Sequence, residues 1–177
     1  TAIYTGILTD TGSFRFANTN SQAFDICAEM VACGVDPYRV AQHVYGRYSL
    51  GRIKLLNMAL DSIEISPDGK ISLMTLTREM FAETGTQPED VDGMISYAKR
   101  IEDVQMAALI METANGHRVE AEGDHRYHVS LRSDGTVDVA DIAGSFGGGG
   151  HISAAGFQIE STLVALKTKI IELAEDL

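Results

Sequence analysis

Cysteine is scarce in this sequence: its 177 residues include two, Cys27 and Cys33. They lie six apart on one expected helix, too sparse for a disulfide framework and outside the common zinc spacings. Buried, reduced thiols in a cytoplasmic protein are the expectation. Cations are also few, 14 Lys and Arg against 25 Asp and Glu, for a formal net charge of −11. Duplex affinity comes mainly from lysine and arginine on phosphates, so this balance argues against a long nucleic-acid duplex as partner. A short or mononucleotide ligand stays open, because a few arginines and a metal ion govern a local site whatever the global sign. No apolar run approaches the roughly 20 residues of a membrane-spanning helix, so no membrane partner is expected. No charged leader with an apolar core opens the chain. There is no internal repeat, and no low-complexity tract beyond four consecutive glycines.

What is present reads as a globular protein, with 45% apolar and 22% charged residues in ordinary proportion. The length suits one domain, or one and a half small ones. The chain begins at Thr1 and enters "TAIYTGIL" at once, whereas a natural start usually has a few polar residues before its first core element. The expectation is the C-terminal part of a longer protein.

Residues 2–8 are apolar and rich in β-branched side chains, so local propensity leaves strand and short helix both open. "TDTGSFRF" then signals a turn. From Ser21 the pattern is helical, with Phe24, Cys27, Ala28 and Val31 on one face, Asn20 or Ser21 as cap and Gly34 at the end. Asp36 and Pro37 start a second helix carrying Val40, Ala41 and Val44. Ile53, Leu56, Leu60 and Ile63 mark a third. "SPDGK", Ser66 to Lys70, is a hairpin turn, and "KISLMTLT" alternates as a half-buried strand should. "REMFAETG" is a short helix ending at Gly85. "VQMAALIME" is a strand buried on both faces, and "RYHVSLRSDG" another, closed at Asp134 and Gly135. Val139, Ile142 and Phe146 mark a helix, "GFQIE" a last strand. Leu163, Leu166, Ile170 and Leu173 form the apolar face of a terminal helix capped by Ser161 or Thr162. Strands and helices alternate, which implies an α/β fold with a mixed sheet flanked by helices. The division expected is a helical domain remnant over 1–46, a helical linker over 47–62 and an α/β domain over 63–177.

The four glycines lie in "GSFGGGGHISAAGF", Gly144 to Phe157. Linkers are usually longer mixtures of Gly and Ser, and this run is sealed between core-like residues. Consecutive glycines permit positive φ, so their amides can converge into an anion-binding concavity. Ser153 could cap a short helical turn through Ala154 and Ala155 at the same spot, and His151 could donate to a phosphate oxygen or carry a proton. Arg132, at the end of the strand in "VSLRSDG", suits bidentate phosphate binding; by itself it is more often a solvated strand-end charge.

Asp10 in "ILTDTGSF" is a turn cap or a metal or catalytic carboxylate, capping being the commoner role. An apolar run before Asp-Thr-Gly-Ser also resembles the loop of aspartic proteases, but that almost wholly β architecture and its second Asp-Thr-Gly fit the helices after Asn20 badly.

Together these residues resemble a known family. "YTGILTDTGSFRFANT" is similar to the fourth metal-binding motif of DHH phosphoesterases. "VSLRSDGTVDVADIAGSFGGGGHISAAGF" resembles the signature of the associated DHHA1 domain, in the nanoRNase and pAp-phosphatase subgroup that includes exopolyphosphatase-related and RecJ-like proteins. The resemblance implies a short helix at residues 2–8 and two manganese ions on a catalytic domain, activating a water for phosphoester hydrolysis. It implies that Asp10 is a metal ligand, and that Arg132, Ser133, Gly148, Gly149, Gly150 and His151 grip the terminal nucleotide or phosphate of the substrate. It implies a substrate that is a very short oligoribonucleotide or 3′-phosphoadenosine 5′-phosphate, and a possible homodimer. The chain has no Asp-His-His and no His-x-Asp-x-Asp, so three of the family's four metal motifs are missing. Asp10 alone cannot hold two manganese ions, and no catalytic residue proper is assigned. The expectation is a chain inactive alone, from a hydrolase parent. A non-catalytic nucleotide-binding regulator and a polyphosphate-directed hydrolase are the alternatives. His128 stands where relatives often carry lysine. Strand alternation puts it on the face opposite His125.

Overall fold

The structure is a computed structural model that describes residues 1–16, 18–46, 48–113 and 125–175. The chain divides into two compact units, Thr1–Tyr48 and Ser49–Leu177.

The first unit is helical: α1 (Ala2–Asp10), α2 (Ser21–Ala32) and α3 (Pro37–Tyr45). The open choice at residues 2–8 is thus resolved as helix, with Tyr4 and Leu8 packing on Cys27 and Val40. Asn20 accepts the Ala23 amide and Asp36 those of Tyr38 and Arg39, with Pro37 first in its helix, so both starts are capped where the chain's chemistry asks. Cys27 is buried, and burial pushes its thiol up. Cys33 corrects the expectation of two buried thiols: it follows the last turn of α2 and is exposed.

The second unit runs α4 (Leu50–Asp61), β1 (Glu64–Ile65), β2 (Ile71–Leu76), α5 (Arg78–Thr84), a 3-10 turn (Pro88–Val91), α6 (Ile95–Lys99), β3 (Met106–Glu112), β4 (His125–Ser133), α7 (Val139–Ser145), β5 (Gly149–His151), β6 (Ala154–Ser161) and α8 (Leu163–Glu175). Its described strands form one sheet in the order β1-β2-β3-β4-β6-β5. Only the β2–β3 pairing is parallel, so the sheet is mixed.

Two apolar clusters cover it. On one face Leu166 and Ile170 of α8 and Val139 and Ile142 of α7 pack on Ile71, Leu73, Ile110, Val129, Leu131 and Phe157. On the other, Leu55 and Ala59 of α4 and Ile95 and Ala98 of α6 pack on Met74, Leu76, Ala107 and Leu109. The second cluster ends at β3. On that face α6 reaches as far as β4, and β6 and β5 have no apolar helix packed over them among the described residues.

Two expectations need correction. β2 is not half-buried; all six of its residues are buried, because helices lie on both faces and β1 and β3 on both edges. Ser72 meets that burial by donating its hydroxyl to the Ala98 carbonyl, 3.0 Å away. On α4 the sheet buries Leu55 and Ala59 fully, whereas of the expected stripe Leu56 and Ile63 pack at the cluster's edge and Ile53 and Leu60 are 48% and 40% exposed. Docking centres the buried face on Leu55 and Ala59, with Leu56 at its edge.

Candidate functional site: an open sheet face

β4 alternates as its sequence suggests. Tyr127, Val129 and Leu131 enter the α7–α8 core, so Arg126, His128, Ser130 and Arg132 point to the other face. Register then fixes their neighbours. Arg132 pairs with Ala154 of β6, and Ala154 with His151 of β5. One row along, Ser130 pairs with Gly156 and Gly156 with Gly149; the next row holds His128 and Gln158. The result is an uncovered face with a floor of Ala154, Gly156 and Gly149, nearly free of side chains, and with Arg132 and His151 standing at the two sides of one end. Arg132 is exposed, its Nη1 donating to the Leu131 carbonyl at 2.8 Å. His151 is exposed and its imidazole has no hydrogen-bond partner among the described residues.

The glycines build this floor differently from the expected ring of free amides. Gly147 (φ +76°) ends α7 in left-handed geometry. Its amide donates to the Gly144 carbonyl and that of Gly148 to the Ala143 carbonyl, the paired bonds of a Schellman helix end. Those two amides are therefore already used. Gly148 lies so close to β6 that a Cβ there would meet the Gly156 carbonyl at 2.2 Å and the Phe157 Cβ at 2.5 Å. Gly149, Gly150 and His151 form an edge strand, and an edge strand leaves some main-chain groups without a strand partner. Nor does Ser153 cap a helical turn. Ala154 and Ala155 begin β6, and Ile152 and Ser153 are the hairpin's turn, held by the Val139 amide on the Ile152 carbonyl and the Ser133 amide on the Ser153 carbonyl. Glycine runs and alanine pairs suit either a cap or a hairpin; strand pairing with β4 decides it.

The structure separates Ser133 from Arg132. Ser133 pairs with Met106, a residue of the α7–α8 core face, and its hydroxyl accepts the Gly135 amide at 2.8 Å. Beside it, the Thr136 hydroxyl and amide hold the Asp134 carboxyl below the usual aspartate range, helped by Lys99 at 3.8 Å. That turn fixes the end of β4 and so the position of Arg132.

Asp10 lies at the end of α1 and accepts Asn18 Nδ2 at 3.1 Å. Next to it the backbone is strained: Gly12, Ser13 and Phe14 have φ of 55°, 61° and 62°, a left-handed run that non-glycine residues rarely make. It is held by Thr11, which donates to the Ile7 carbonyl at 2.6 Å and accepts the Phe14 amide at 3.1 Å, and by the Ser13 amide on the Leu8 carbonyl at 2.8 Å. Strain of this sort gathers at functional sites. Yet no group of three or more His, Cys, Asp or Glu converges to hold a metal among the described residues. Asp10 is a lone carboxylate, and a manganese pair does not fit on it alone. His125 and His128 are split between the two faces as alternation requires, with His125 Nδ1 on Glu112 Oε1 at 2.6 Å.

Sequence reasoning missed Ser130, Gly156 and Gln158. Ser130 was within reach, two residues before Arg132 on the same strand; Gly156 and Gln158 join only through the β4–β6 register.

Residues 70–177 match the family described as the DHHA1 domain. The chain belongs to that family. The DHHA1 chain is 30% identical over 156 residues to the bifunctional oligoribonuclease and PAP phosphatase NrnA of Thermus thermophilus, covering 88% of this chain and 43% of that protein. It is 29% identical to the probable enzyme of the same name from Streptococcus mutans, over 87% of this chain and 46% of the relative. Among solved structures, an exopolyphosphatase-related protein from Bacteroides fragilis superposes with a TM-score of 0.83 at 26% identity, over 98% of this chain and 48% of that one. The DHHA1 chain thus spans a little under half the length of these relatives. No helix of the described residues is long and apolar enough to cross a membrane.

Proposed function

We propose that this chain is the substrate-binding part of a manganese-dependent phosphoesterase acting on very short oligoribonucleotides or on 3′-phosphoadenosine 5′-phosphate. The observation that carries the reading is the shared row of Arg132, Ala154 and His151 on an uncovered face. A guanidinium offers paired donors to a phosphate, the imidazole supplies a further donor from the opposite side, and the bare floor lets a nucleotide lie close to the main chain. The names of the Thermus and Streptococcus relatives supply the substrate class. Gly148, Gly149 and Gly150 shape the floor, and Ser133 acts through the turn that ends β4. Asp10 contributes one metal ligand beside the strained turn, and the remaining ligands come from outside this chain. Manganese, when bound, supplies an activated water; every contact above is made by this chain without it. A site with one arginine and no long basic track holds a chain end better than a polymer.

Calorimetric titration of this chain with a dinucleotide, with 3′-phosphoadenosine 5′-phosphate and with inorganic polyphosphate tests the reading. Binding of the first two, without turnover when manganese is added, is expected. Binding of polyphosphate alone would transfer the site to a polyphosphate-directed enzyme, and hydrolysis by this chain alone would refute the division of labour.

A further inference from the structure

The open face continues well beyond Arg132. In the direction away from that residue its rows are Ser130 with Gly156, His128 with Gln158, and Arg126 with Glu160. Two residues of strand separate successive rows, so the last lies about 20 Å from Arg132. The chemistry changes along the way. The first row has an exposed guanidinium, and the middle rows have small or uncharged-amide side chains on β6 with Ser130 and His128 on β4. In the last row Arg126 Nε and Nη2 both donate to Glu160 Oε1, at 3.1 and 2.6 Å. A guanidinium fork that would suit a phosphate is therefore engaged by a carboxylate of the same row.

We infer that the Arg126–Glu160 pair is a length gate on the substrate face. The inference rests on the reading of Arg132 and His151 as the anchor for the substrate's end. A chain of a few nucleotides held there lies over the small floor and the middle rows. A longer chain carries a phosphate to the last row, where it must displace Glu160 from Arg126 or lie beside a carboxylate. Both arginine and glutamate are partly exposed there, with 41% and 36% of their side-chain surfaces accessible, so a phosphate can reach the pair. The discrimination is then moderate and per chain rather than absolute.

The test uses this chain and end-labelled oligoadenylates of two to ten nucleotides, with affinity read by fluorescence anisotropy. Glu160→Gln should raise the ratio of long-chain to dinucleotide affinity about threefold, the scale of one partly exposed charge contact, and Glu160→Lys should raise it further. Glu172→Gln, on α8 over the opposite face, is the control for net charge. A ratio unmoved in both Glu160 variants, or raised equally by Glu172→Gln, overturns the gate. If Arg132→Ala still weakens every length in that case, the anchor reading survives without it. If Arg132→Ala weakens none, the anchor fails and takes the gate with it.

Discussion

Arg132 and His151 stand in one row of the sheet with Ala154 between them, so both side chains rise from the same face. Two strand spacings put their Cα atoms about 10 Å apart. Two donors at that separation can hold one phosphate group from both sides with long side chains leaning inward.

The first expected outcome follows from that row. Arg132→Ala should weaken binding of a dinucleotide or of 3′-phosphoadenosine 5′-phosphate by about 1.5–3 kcal/mol, the range for hydrogen bonds to a charged group. Calorimetry on this chain reads it. Because Arg132 is exposed, the melting temperature should hold; an unchanged affinity would reduce Arg132 to a surface charge.

Neighbouring glycines should behave in opposite ways. A Cβ at Gly149 meets nothing within 4 Å, and its φ is not positive. Gly149→Val should therefore fold, yet place a branched side chain on the substrate floor and weaken binding at least fivefold, a loss of about 1 kcal/mol. Gly148→Ala should instead cost stability, about 2 kcal/mol or more, because the new methyl overlaps the Gly156 carbonyl and overpacking displaces backbone. Denaturant unfolding and ligand titration on the two variants separate the effects. Destabilisation by Gly149→Val would contradict the geometry of β5.

The left-handed run beside Asp10 gives a third. Ser13 has φ of 61°; glycine there removes a strain of about 1–2 kcal/mol and loses part of that to chain entropy. Ser13→Gly should stabilise the first unit by roughly 0.5–1 kcal/mol, seen as a later unfolding transition. A loss of stability would mean that the serine side chain holds the turn.

The fourth is a pH dependence. The Thr136 hydroxyl and amide hold the Asp134 carboxyl low. A carboxyl depressed in the folded state binds its proton more weakly there than in the unfolded chain. Its contribution is therefore present above the unfolded value, about 3.9, and is lost as pH falls through the lower folded one. Thr136→Val should move acid unfolding to higher pH, and Asp134→Asn should flatten that part of the stability curve. Circular dichroism between pH 2 and 6, a window set around that value, checks both; superimposable acid transitions would remove the turn from the account.

Much of the fold was legible because local chemistry carried it. Asp36 and Pro37 begin a helix and Gly85, at φ 65°, ends one as their local chemistry prescribes, and the alternation of β4 needs no partner to be read. Local propensity did not decide residues 2–8, since a short apolar segment serves a strand or a helix equally until it packs on Cys27 and Val40; only the family resemblance implied the helix found there. The burial of β2 on both faces depended on α4 and α6 covering the side that its Ser72 seemed to reserve for water.

By itself, then, the sequence determined the starts of α2 and α3, the end of α5, the faces of β4, the glycine-rich segment and the presence of Arg132 and His151, because each depends on residues a few positions apart. Tertiary structure alone decided that these two stand in one row across Ala154, that the glycines serve close packing and a helix end, and that Arg126 is engaged by Glu160 on the same face. Strand register joins residues distant in the chain, and no local preference encodes it.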